Sequence, residues 1–163
     1  MKLSVKDEYT LSEIMHYLGS ETTLLNDGRY RTAPSMLQLV IDNDIESFLE
    51  VNTDDSHVCE LLEAVFYDIK AQCTDHIPKG SKYVKNSSLD MIYFDSVNSF
   101  DEMSEKLDTW LPKVKGGGIV SGYDPARFGG VVSAFQAVSN HCQVNDIVPE
   151  ACQVNPQVYW FTK

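Results

Sequence analysis

The sequence predicts an α/β fold in which one sheet carries helices on both faces and ends in an antiparallel hairpin. Three observations lead there. Residues 45–51 and 91–94 are short apolar runs of the kind that forms buried parallel strands, and each ends in or beside an acid, Glu50 and Asp95. Amphipathic helical patterns separate the strands, the clearest from Phe100 or Asp101 to Trp110 with Met103, Leu107, Trp110 and Leu111 on one face. Gly116, Gly117 and Gly118 then read as a turn into a further apolar pair, Ile119 and Val120. Strand, helix and strand in this order make a βαβ unit, and open sheets of this type bind ligands outside the carboxyl ends of their strands, where Asp95, Tyr123 and Asp124 would lie.

Each element follows from local signals. Residues 9–18 form a helical pattern with Leu11, Ile14, Met15 and Leu18 on one face, Thr10 or Ser12 to cap it and Gly19 to end it. Residues 20–32 are polar and hold a compact basic-aromatic group, Arg29, Tyr30 and Arg31, which reads either as a lid or substrate contact or as a surface loop anchored by Tyr30. A second helix spans 34–41, with Pro34 in its first turn. After the first strand comes Asn52-Thr53-Asp54-Asp55-Ser56, then a helix over 57–71 with Val58, Leu61, Leu62, Val65, Phe66 and Ile69 inward. Asp54, Asp55 or Ser56 would cap that helix or face a ligand. His57 reads as an exposed first-turn residue or a base. Residues 72–88 offer one weak strand around 81–84, and Pro112 limits the helix that ends at Trp110. Residues 131–141 form the last helix, and 145–148 and 157–162 the closing strands, with Trp160 in the core.

The 163 residues, 43% of them hydrophobic, are expected to form a single domain. A net charge of −11 and a pI near 4.6 oppose binding to nucleic acid, which needs a basic stripe. The first eight residues lack the apolar core of a signal peptide and no run is long enough to cross a bilayer, so a cytoplasmic protein away from the membrane is expected. Cys59, Cys73, Cys142 and Cys152 show no CxxC spacing and read as reduced thiols.

Four segments carry a family resemblance. They are Phe94-Asp95-Ser96-Val97-Asn98-Ser99-Phe100, Trp110-Leu111-Pro112, Val114-Lys115-Gly116-Gly117-Gly118-Ile119-Val120 and Gly122-Tyr123-Asp124. In order and spacing this stretch resembles the second half of class I S-adenosylmethionine-dependent methyltransferases, in the branch of small O-methyltransferase-like domains. Ser96 and Asn98 stand where that family has glycine and histidine, and Tyr123 where it has a second histidine. The resemblance implies a shortened Rossmann-like methyltransferase sheet over 45–163, with 1–44 as an amino-terminal helical cap of the same domain. The stretch between Glu50 and Asp90 is too short for the family's full set of units, so at least one βα unit should be missing.

The resemblance also implies a site. Glu50, Asn52, Asp75, Asp95 and Ser96 would bind S-adenosylmethionine: Glu50 beneath its amino-acid moiety, Asn52 in the turn where the family has glycine, and Asp75 at the ribose. Asp95 and Asp124 would serve as catalytic groups toward a small-molecule hydroxyl, or as ligands of a divalent cation such as magnesium. Three functions stay open: a methyltransferase, a methyltransferase-fold protein that has lost the cofactor and acts as a binding or oligomeric module, and another enzyme using the crevice for a nucleotide or sugar. A homodimer is expected because a shortened sheet exposes an edge.

Overall fold

The computed structural model describes residues 2–21, 31–51, 58–74, 80–95, 97, 99–129 and 133–163. The chain runs α1 (Leu11–Glu21), α2 (Ala33–Asp42), β1 (Ser47–Val51), α3 (Val58–Val65), β2 (Lys70–Cys73), β3 (Leu89–Phe94), α4 (Phe100–Trp110), β4 (Val114–Tyr123), α5 (Ala134–Val144), β5 (Glu150–Ala151) and β6 (Val158–Thr162), with short 3-10 turns at Gly80–Tyr83 and Leu111–Lys113. The strands form a six-stranded sheet in the order β2-β1-β3-β4-β6-β5. β1 pairs in parallel with β2 and β3, and β3 with β4; β6 is antiparallel to both β4 and β5.

Alternation along the strands divides the core in two. Phe48, Met91, Tyr93 and Ile119 face α1, α2 and α3, whereas Leu49, Val51, Ile92, Phe94 and Val120 face α4 and α5. The helices start where the sequence supplies caps. Thr10 and Glu13 form a reciprocal capping box, Thr10 N donating to Glu13 Oε2 at 2.8 Å and Glu13 N to Thr10 Oγ1 at 3.2 Å. Ser99 caps α4 by accepting from Glu102 N at 3.2 Å. The amino-terminal residues are sewn on beside α3: Leu3 bridges Phe66, Val5 N donates to Asp68 Oδ1 at 2.9 Å, and Ser4 Oγ donates to the same carboxylate.

Five expectations need correction. Gly19 does not end α1, which continues to Glu21. The helix over 57–71 stops at Val65, and Lys70–Cys73 is the strand β2, whose four residues show the half-exposed alternation of a sheet edge over too short a run to stand out after the helical pattern. Residues around 81–84 lie in a 3-10 turn and 145–148 are not a strand. The three glycines lie inside β4: Leu89 pairs with Val114 but Met91 with Ile119, and Gly117 takes φ +80° to absorb the shift. In keeping with a missing βα unit, among the described residues β2 is followed only by the 3-10 turn before β3.

At the amino end of β3, Asp90 locks three strands. Its carboxylate accepts from Ser47 N at 2.8 Å, Ser47 Oγ at 2.7 Å and Lys115 Nζ. Partial burial pushes its pKa up, but the hydrogen bonds from Lys115 and Ser47 outweigh that and hold it below the ordinary carboxylate value. A depressed folded pKa means stabilisation that is complete above the unfolded pKa and lost as pH falls through the folded one. Asp90→Ala should therefore lower stability by about 1 kcal/mol at neutral pH, the low end for charged hydrogen bonds because the group is partly solvated. In urea titrations, the gap between the two proteins should narrow in acid.

Candidate functional site

The parallel register aligns the strand ends. Glu50 pairs with Tyr93 and Val51 with Phe94 across β1 and β3, and Phe94 pairs with Gly122 across β3 and β4. Glu50, Asp95 and Asp124 thus stand at or just past the carboxyl ends of three adjacent parallel strands, all three buried. Glu50 anchors the start of α3, its Oε2 accepting from Cys59 N at 2.9 Å. An acid so placed ties the start of α3 to β1 and puts negative charge beside the amino end of the helix.

Asp95 closes a chain of polar groups from the amino-terminal segment. The Tyr93 hydroxyl lies 2.9 Å from Thr32 Oγ1 and 3.0 Å from Asp95 Oδ1; with one proton to give, it donates to the carboxylate and accepts from Thr32. Burial first, then the charge of Asp95, pushes the Tyr93 phenol well above its ordinary pKa, so it stays a donor. Arg31 Nη2 approaches Asp95 Oδ1 to 3.5 Å, and its guanidinium carbon lies 4.7 Å from the centre of the Tyr123 ring. The Arg31 side chain is 42% exposed and that of Asp95 only 3%, so arginine is the solvent-facing member of the pair. Of the basic-aromatic group singled out in the sequence, Arg31 reaches the strand ends; Arg29 and Tyr30 lie outside the described residues.

Asp124 does different work. Its Oδ1 accepts from Ala126 N at 2.8 Å and its Oδ2 from Phe135 N at 2.9 Å, so it fastens the loop after β4 to the first turn of α5. Each oxygen accepts one amide and keeps a second acceptor position. Asn52, Asp75 and Ser96 lie outside the described residues. In the sequence, Asp75 stands two positions after the end of β2, a strand the sequence reading did not place before it.

The structure adds a group that sequence reasoning missed. Cys59 at the start of α3 and Cys73 at the end of β2 meet Glu50: one ligating atom from each lies within 4.8 Å of the other two, and all three residues are buried. The hydrogen bond with Cys73, burial and the charge of Glu50 together push the Cys59 thiol far up. Cys142, elsewhere in the core, is pushed up to about 11 by burial alone. The sequence carries no signal for this group, since its three members are nine and fourteen positions apart and come from three different elements.

Comparison with solved structures gives the architecture its place. A candidate caffeoyl-CoA O-methyltransferase from Staphylococcus aureus superposes with a TM-score of 0.60 at 13% identity, over 96% of this chain and 93% of its own. This is a methyltransferase fold. The N-methyltransferase NodS from Bradyrhizobium japonicum shares it with a TM-score of 0.51 at 12% identity, over 84% of this chain and 97% of that one. So does MycE, the methyltransferase of the mycinamycin biosynthetic pathway in complex with Mg and SAH, with a TM-score of 0.53 at 11% identity. It is a longer protein: the match covers 96% of this chain and 49% of that one. No family model matches the sequence, and no curated protein matches it. The methyltransferase fold is thus carried at low identity, by proteins named for transfer to oxygen and to nitrogen.

Proposed function

We propose that this chain is an S-adenosylmethionine-dependent methyltransferase acting on a hydroxyl of a small molecule. The observation that carries the reading is the convergence of Glu50 and Asp95 on adjacent parallel strand ends of a methyltransferase-fold sheet. The donor set suits the cofactor, whose sulfonium and ammonium groups are cations that carboxylates stabilise. When bound, S-adenosylmethionine supplies an electrophilic methyl carbon. Glu50, which holds the start of α3 in place, would hold its amino-acid portion; Asn52, Asp75 and Ser96 would complete the contacts, Asp75 at the ribose.

On the acceptor side, Asp95 takes the hydroxyl proton, held in position by Tyr93 and Arg31. Asp124 orders the loop that borders the acceptor. A divalent cation such as magnesium would be held by Asp95 and Asp124, between the ends of β3 and β4. The proposal treats 1–163 as one domain, 1–44 the helical cap and 45–163 the core.

We further propose a cytoplasmic homodimer. No helix among the described residues is long and apolar enough to cross a membrane. β2 and β5, of four and two residues, are the outer strands of the sheet, and an edge of this kind is readily covered by a second copy. Sedimentation that finds only a monomer at high concentration removes the dimer.

Isothermal titration calorimetry with S-adenosylmethionine and S-adenosylhomocysteine, with and without magnesium, tests the main reading. Micromolar binding is expected. Absence of heat and of thermal shift at millimolar ligand overturns it.

A further inference from the structure

A second set of chemistry-bearing side chains lies where β1, β2 and α3 meet. Glu50 comes from β1, Cys59 from the first turn of α3 and Cys73 from the last position of β2. One carboxylate oxygen and two sulfurs lie within 4.8 Å of one another, with all three residues buried. Tetrahedral zinc with bonds of about 2.3 Å to sulfur places neighbouring ligand atoms roughly 3.8 Å apart. Closing these donors on an ion therefore takes about 1 Å of movement at most, within the reach of side-chain torsions.

The donor types narrow the ion. Two thiolates select zinc or copper(I) over magnesium or calcium, and a carboxylate beside them favours zinc over copper(I). Charge also balances. Two neutral thiols and one carboxylate release two protons and take up one Zn²⁺, so the cluster holds a charge of −1 before and after, and the buried site gains no net charge.

We propose that Glu50, Cys59 and Cys73 form a zinc site that ties α3 and the edge strand β2 to β1. The location explains its use. β2 has four residues and stands at the edge of the sheet, where among the described residues it pairs only with β1. A bound ion supplies there the folding energy that an additional strand would otherwise contribute. The three donors leave a fourth coordination position for water. The site goes beyond the methyltransferase reading and shares Glu50 with it.

The test uses the whole chain, reduced and stripped with a chelator. Titration with cobalt(II) should give one ion per chain and a thiolate-to-cobalt charge-transfer band, which zinc then abolishes while raising the melting temperature. Cys59→Ser and Cys73→Ser should each remove the band, and the double variant Cys142→Ser/Cys152→Ser should keep it. Glu50→Gln should weaken zinc binding by at least the ~10–100-fold that loss of even a supporting group costs at such sites. The wild-type spectrum decides the matter even if a variant fails to fold: no charge-transfer band in the wild-type chain overturns the site. So does a band that survives loss of both Cys59 and Cys73. S-adenosylmethionine binding is read separately on the same preparation, so failure of one proposal does not mimic failure of the other.

Discussion

Gly122→Ala is expected to destabilise the fold by about 3 kcal/mol, at the upper end of overpacking effects. Gly122 of β4 lies opposite Tyr159 of β6, and the fully buried tyrosine ring folds over it. A Cβ at position 122 would stand 2.1 Å from the Tyr159 hydroxyl and 2.4 Å from its Cζ. The ring has little room to retreat, because Phe135 packs on it with centroids 5.2 Å apart. The Tyr159 hydroxyl has no hydrogen-bond partner among the described residues, and burial pushes its pKa up, so it stays neutral. Tyr159→Phe alone should consequently be neutral or stabilising by up to about 1 kcal/mol. Combined with Gly122→Ala it should restore only part of the loss, since the ring carbon still collides. Urea unfolding of the four proteins checks both statements; a Gly122→Ala chain as stable as its parent would show that the two strands separate freely here.

Glu50→Gln is expected to weaken S-adenosylmethionine binding by about 30-fold, the equivalent of one charged hydrogen bond of roughly 2 kcal/mol. The amide keeps the shape and can still accept from Cys59 N, so the melting temperature of the metal-free protein should change little. Glu50→Ala should lose both, because the start of α3 then has no side-chain acceptor from β1. Calorimetry on chelator-treated protein separates charge from anchoring. Equal affinity in Glu50→Gln and wild type would remove Glu50 from the cofactor site and leave it as a structural group.

Much of the fold could be read from the chain because its central strands are buried on both faces. Residues 45–51 and 91–94 are apolar enough to stand out, and α4 is bounded by the capping Ser99 and by Pro112. The edge strand β2 escaped because it has four residues, of which only Ala71 and Cys73 are buried, and because Ile69 just before it continues the helical spacing of Val58 to Phe66. Val148 suggested a strand, yet it is 81% exposed and pairing begins only at Glu150. For the site, strand ends were enough to place Glu50, Asp95 and Asp124. No spacing rule could show that both oxygens of Asp124 bind backbone amides, or that Arg31 from the amino-terminal segment meets Asp95. Those contacts depend on tertiary packing between distant parts of the chain.

The attachment of the amino-terminal residues beside α3 has a consequence for synthesis. Lys2, Ser4 and Val5 find their partners, Glu63 and Asp68, 61 to 64 positions later in the chain. At roughly 5–20 residues per second of translation, they wait about 3–13 s before those partners have even been joined to the nascent chain, and longer before the ribosomal tunnel releases them. During that interval Leu3 and Val5, which end up buried, are exposed to chaperones and to neighbouring nascent chains. Residues 2–5 are thus made well before they can settle, and their docking is among the later steps of folding.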